Sequence, residues 1–225
     1  MLHFLSCARS RRLLLSSLVI GIPFSFDFAA NVAAQDRPSV AGPSPAVGDR
    51  WTWNVEVSPR DDCSSAIPKG AQEIETVIRV NDDSYVTETV SPFATTKYSR
   101  TYAKDGSYKA NLDGKEIRPN PVAFPLRPGN KWETTLVSAR VVTSLECEAE
   151  KPERMTAGSE NLEVIPVTCN GSWKNRQFNN GDVATYKYWY SPVVGASVRR
   201  TVWTRYRGKT CADIEYRLES FARTK

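Results

Sequence analysis

Close-set carboxylates, abundant aromatic rings and one arginine-rich run are the parts of this chain whose residue types could do chemistry. The carboxylate pairs are Glu73/Glu75, Glu146/Glu148 and Asp61/Asp62, and two carboxyls flanking a bond are the apparatus of glycoside hydrolysis. Each pair lies in a polar turn or on an alternating strand, where a solvated charge is the simpler account. No histidine follows His3, which removes Ser-His-Asp and Cys-His nucleophilic machinery and every histidine-ligated metal centre. Neither a phosphate-binding P-loop nor a dinucleotide-binding glycine pattern occurs. The sequence therefore predicts no enzyme and no cofactor.

The aromatic residues suggest binding. Trp51, Trp53, Trp132, Trp173, Trp189 and Trp203 are many for a domain of this size, and most are expected in the core. Tyr186, Tyr188 and Tyr190 alternate along one segment, so on a curved sheet they would line one side of an apolar trough, a place for a small hydrophobic ligand. Residues 199–209 carry the strongest charge feature. Read as a strand, they put Arg199, Trp203, Arg205 and Arg207 on one face and Val198, Val202 and Tyr206 toward the core. Such a face could hold an anionic lipid or polysaccharide by charge and stacking. Pairing of these arginines with Glu215 and Glu219 on the final strand is the favoured alternative.

Behind these residues stands an export signal. Arg9, Arg11 and Arg12 precede an apolar run from Leu13 to Phe28, and Val32-Ala33-Ala34 supplies a small-residue cleavage site, so residues 1–34 read as a signal peptide cleaved near Ala34. Pro23 and Asp27 interrupt the run and argue against a membrane span. Ser10-Arg11-Arg12 also resembles a twin-arginine signal, although the cysteines favour export before folding. Cys7 precedes the apolar run and would leave with the signal. Cleavage takes away three of the thirty basic and one of the twenty-five acidic residues, leaving 27 against 24. That small excess gives no reason to expect nucleic acid.

Four cysteines remain, Cys63, Cys147, Cys169 and Cys211. Their wide spacing fits two disulfides in an oxidising compartment rather than zinc. If the first strand lies antiparallel beside the last, Cys63 meets Cys211, and Cys147 then pairs with Cys169.

Residues 35–49, with Pro38, Pro43 and Pro45, read as a flexible, solvated lead-in to a single domain over 50–225. From Trp51 the pattern has period two. Ile74, Thr76, Ile78 and Val80 oppose Glu75 and Arg79; Ile214, Tyr216 and Leu218 oppose Glu215, Arg217 and Glu219; and Val137 to Cys147 alternates as one long strand. Asn81-Asp82-Asp83, Lys104-Asp105-Gly106, Asp113-Gly114, Asn179-Asn180-Gly181 and Arg207-Gly208 mark turns. The expectation is an all-β domain of about ten strands, a curved antiparallel sheet forming an open barrel or a sandwich. Gly48-Asp49-Arg50-Trp51 and Gly129-Asn130-Lys131-Trp132 match in type, the trace of a weak internal repeat.

Pro45 to Trp51 and Phe124 to Trp132, together with Thr156-Ala157-Gly158 leading into Leu162 to Cys169 and Tyr188-Trp189-Tyr190-Ser191-Pro192-Val193-Val194-Gly195, resemble a group of bacterial periplasmic β-rich proteins of unknown function. The resemblance implies a curved antiparallel sheet akin to the half-barrels of periplasmic lipoprotein carriers, and it brings no catalytic residues. The functional expectation is a non-enzymatic envelope protein that binds a partner protein or an apolar ligand on a curved sheet. The alternatives are a hydrolase of an envelope polymer working through paired carboxylates and a structural assembly component.

Overall fold

The computed structural model describes residues 39–58, 68–138, 140–158 and 160–224, which form thirteen strands and no helix. The strands are β1 (Arg50–Val57), β2 (Ala71–Val80), β3 (Ser84–Val90), β4 (Tyr98–Ala103), β5 (Ala110–Leu112), β6 (Lys115–Ile117), β7 (Lys131–Val137), β8 (Val141–Ala149), β9 (Glu153–Ala157), β10 (Glu160–Asn175), β11 (Asn180–Ser191), β12 (Ala196–Tyr206) and β13 (Lys209–Ala222). Ten of them build one antiparallel sheet in the order β4-β3-β2-β1-β13-β12-β11-β10-β8-β7. β9 adds to the first part of β10, and β5 and β6 make a separate hairpin. The all-β expectation holds, with three short strands beyond the ten expected. The sheet is not closed into a barrel, because β4 and β7 remain as its two edges.

Turn chemistry sets much of this order. Asp113-Gly114 and Arg207-Gly208 each place two successive residues at positive φ (53° and 82°, 51° and 79°), the requirement of a tight two-residue hairpin. They join β5 to β6 and β12 to β13. Gly48 and Gly129, at φ 93° and 87°, open β1 and β7 alike, so the two similar segments do the same structural job. Pro166 lacks an N–H and sits where β10 changes its second partner, leaving β9 after Val164 and taking up β8 at Val167.

Two expectations about strands are corrected. Residues 137–147 are not one strand: Ser138 N donates to Val141 O, and the chain turns there from β7 into β8. On β2 the faces are the reverse of those expected. Val77 (1%) and Glu73 (6%) are buried while Ile78 and Val80 are exposed, because on the inner face Glu73 pairs with Arg200 of β12. The last strand behaves as expected, with Leu218 buried and Arg217 exposed.

The sheet is strongly curled. On a flat sheet β2 and β11 would lie roughly 19 Å apart, four strand spacings, yet Glu75 and Tyr188 line one pocket. Because β4 and β7 are opposite edges, the chain between them must cross the open side. Residues 104–130 form this strap, across which Tyr108 packs edge-on to Tyr102 at 5.9 Å and Phe124 to Tyr190 at 4.8 Å. Leu126 is fully buried in a core with Leu145, Cys147, Ile165, Val167 and Tyr190. The lead-in is tied to the strap: Val40 and Leu126 exchange two backbone hydrogen bonds of 2.8 Å. Asp49 is buried, its carboxylate accepting from the Ala46 and Thr224 amides. The solvated lead-in expected from the prolines is thus attached to the domain over these residues.

Candidate functional site

Alternation places one polar set on the inner face of the sheet. Glu73 and Glu75 come from β2, Thr87 from β3, Arg100 and Tyr102 from β4, Arg200 from β12 and Tyr216 from β13. Register explains their meeting: Tyr188 lies opposite Arg200 and Arg200 opposite Tyr216, so the three form a row across β11, β12 and β13. Arg200 Nη2 donates to Glu73 Oε1 at 2.8 Å with little exposure on either side chain (22% and 8%). Its guanidinium also lies over Trp53 (4.5 Å) and Tyr216 (4.2 Å). The buried Arg200 Nε has no hydrogen-bond partner among the described residues.

Glu75 has a different environment from Glu73. Burial pushes its carboxyl above the ordinary carboxylate value and outweighs Thr87, Arg200 and Arg100, which favour the ionised form. Arg100 lies 4.4 Å over the Tyr108 ring, and its Nη1 donates to the Tyr102 hydroxyl at 3.2 Å. Burial raises the pKa of Tyr85, Tyr102, Tyr188 and Tyr216, so all four are neutral phenols.

Between this face and the strap is a pocket of about 140 Å³. Trp51, Trp53, Tyr85, Tyr102, Tyr188 and Tyr190 form its aromatic walls, Glu75 and Arg200 are its charged-type residues, and Gly106, Pro121, Val122 and Phe124 of the strap contribute to its lining. The indole N–H groups of Trp51 and Trp53 donate to the Val194 and Ser197 carbonyls (3.1 and 2.9 Å). The rings are thereby fixed and almost wholly buried, and they form the floor behind the partly buried tyrosines. At Gly106, φ +85°, an added Cβ would come within 2.3 Å of Val122 O, so only glycine lets the strap fold this closely.

The expected tyrosines are brought together. Tyr186 and Tyr188 stack at 6.4 Å, and Tyr188 and Tyr190 reach the pocket. The trough is aromatic and polar rather than simply apolar. The expected arginine face is not a free cationic surface. Arg199 is 2.6 Å from Glu215 and lies over Trp189 at 4.8 Å. Burial disfavours ionised Glu215, but hydrogen bonds from Arg217 and the charges of Arg199 and Arg217 hold its carboxyl below the ordinary range. Arg205 lies over Trp203 at 5.8 Å while donating to Gly208 O, and Arg207 lies over Tyr206 at 5.2 Å. Glu219 accepts from Gln72 instead of an arginine. Sequence reasoning missed Arg200, although its alternation with Arg199 put it on the inner face beside Val198 and Val202.

Glu146 and Glu148 line a larger furrow of about 770 Å³ along β7, β8 and β10. Both are exposed, and Glu148 pairs with Lys131 at 3.1 Å, as a solvated face would. Asp61, Asp62 and Cys63 lie outside the described residues, as does the signal segment. Cys147 and Cys169 form a disulfide between directly opposed positions of β8 and β10. β1 and β13 are neighbours as expected, with Val57 opposite Ile214.

No protein-family model matches the chain, and no curated protein matches it either. A crystal structure from Bacteroides fragilis NCTC 9343, of a protein assigned as exported and having a YmcC-like fold, is similar at a TM-score of 0.53. The alignment covers 83% of this chain and 100% of that one at 13% identity, so the likeness is one of fold.

Proposed function

We propose that this chain is an exported, non-enzymatic envelope protein that binds a small ligand in the pocket between its curled sheet and the strap. The observation that carries the reading is the pocket itself: six aromatic side chains from four strands converge on two half-buried polar groups, Glu75 and Arg200. Convergent aromatics around a few fixed polar groups are the usual form of a small-molecule site. The signal-type residues 1–34, the Cys147–Cys169 disulfide and the fold shared with a protein assigned as exported support an envelope location. Native mass spectrometry of the protein isolated from an envelope fraction tests the reading. A non-covalent small-molecule adduct is expected, and it should be absent when Ala196, in the pocket lining, is changed to Phe. Adduct-free protein, or an adduct unaffected by Ala196→Phe, would remove the pocket as the binding site.

A hydrolytic reading has one observation in its favour. Glu73 and Glu75 share a face, Glu73 against an arginine and Glu75 raised by burial, as unlike carboxyls in an acid/base pair would be. Release of nitrophenol from a panel of nitrophenyl glycosides, abolished by Glu75→Gln, would replace the binding reading with this one.

A further inference from the structure

We infer that the pocket between sheet and strap takes one uncharged sugar ring, an inference that rests on the binding reading above. Size is the first argument. About 140 Å³ is well below the roughly 300–1,000 Å³ of pockets that hold drug-sized molecules and leaves no room for a diacyl lipid or an oligomer.

Charge is the second. The Arg200 cation is met by Glu73 at 2.8 Å, and burial favours the neutral form of Glu75. An anion or cation entering here would give up water without gaining a free counter-charge. Hydrogen bonding is the third. Arg200 Nε lacks a partner, and Glu75, Tyr85, Tyr102 and Tyr188 line the pocket with side chains that can donate and accept, which a purely aliphatic ligand would not use.

The walls complete the case. With Trp51 and Trp53 buried behind them, the partly buried rings of Tyr85, Tyr102 and Tyr188 present the carbon surface of the pocket, the complement of the C–H face of a pyranose ring. A ligand with an apolar face, several hydroxyls on its rim and no charge satisfies all these demands at once.

The test titrates the mature chain with glucose, galactose, mannose and N-acetylglucosamine, and with glucuronate and decanoate as charged and aliphatic probes. The indole N–H resonances of Trp51 and Trp53 are followed by NMR. Saturable shifts with at least one neutral sugar are expected. Glu75→Ala should weaken that binding at least tenfold, whereas Glu75→Gln, which keeps an uncharged donor and acceptor, should bind within about threefold of the parent; thermal melts confirm that both variants fold. Preference for glucuronate or decanoate overturns the sugar assignment, as does the absence of any shift with the neutral sugars. The binding reading falls separately, if the envelope-derived protein carries no adduct.

Discussion

Arg200 is held by Glu73 on one side and by the rings of Trp53 and Tyr216 on others, so its removal strands a buried carboxylate. Arg200→Met alone should lower the unfolding free energy by roughly 3–5 kcal/mol, and adding Glu73→Gln should recover a large part. Urea unfolding of the four proteins checks this, and strictly additive losses would mean that the pair does not couple. Glu75 predicts a pH effect of definite sign. Its pKa is raised on folding, so above the ordinary value of 4.5 the native state holds a proton that the unfolded chain has lost. Stability from this residue therefore declines as pH climbs from 4.5 through the raised value and stays lower above it. Glu75→Gln should gain stability over the parent at pH 8 and little at pH 4, measured as the difference in Tm; an equal difference at both pH values would contradict the shift. Residue types alone could not reveal this cluster. On β2, Ile74, Ile78 and Val80 make as good a period-two apolar face as any in the chain, and the decisive information is a partner 127 residues away on β12.

Elements were the most legible level. Turn residues with positive φ appeared where glycine or an Asp-Gly pair stood, and β1 and β13 lie side by side, the arrangement supposed for the cysteine pairing. The disulfide joins opposed positions of two strands that the sequence already marked as alternating, Cys147 and Cys169, which are 22 positions apart in the chain. Less legible was the outer face of β12. Bulges shift its pairing between Trp189 and Tyr190 on one side and between Thr204 and Arg205 on the other, so simple alternation does not carry through the whole strand. The structure nevertheless gives Arg199 a carboxylate and Arg205 a carbonyl, which favours scaffolding over recognition of anions. Changing Arg199, Arg205 and Arg207 together to Ser should lower stability by about 1 kcal/mol, since the Arg199–Glu215 pair is partly solvent-screened. Retention on anionic vesicles should be the same for both proteins at low and moderate salt. Salt-sensitive retention of the parent, lost in the variant, would restore the anionic-partner idea.

At the scale of the molecule, an open sheet whose two edges are consecutive along the chain must be crossed by the segment between them. That crossing converts a curled surface into a pocket. Period-two patterning specifies which side of a strand is inward but says nothing about a segment returning over that side, and apart from the short β5–β6 hairpin residues 104–130 are loop, so they read only as turns. Two features fix the strap: the Val40–Leu126 bridge and the full burial of Leu126 among Leu145, Ile165 and Val167. Leu126→Ala should cost roughly 2–5 kcal/mol, the range for a buried leucine that leaves a cavity. If the strap opens as a unit of its own, the effect will be local first. Amides of Val40 and Leu126, which bond each other's carbonyls, should exchange with solvent faster in the variant, while amides of the central strands β1 and β13 keep protection close to that set by global unfolding. Hydrogen exchange measured residue by residue decides this. Equal acceleration at Val40, Leu126 and the central strands would make strap and sheet one cooperative unit, and access to the pocket would then require the sheet itself to open.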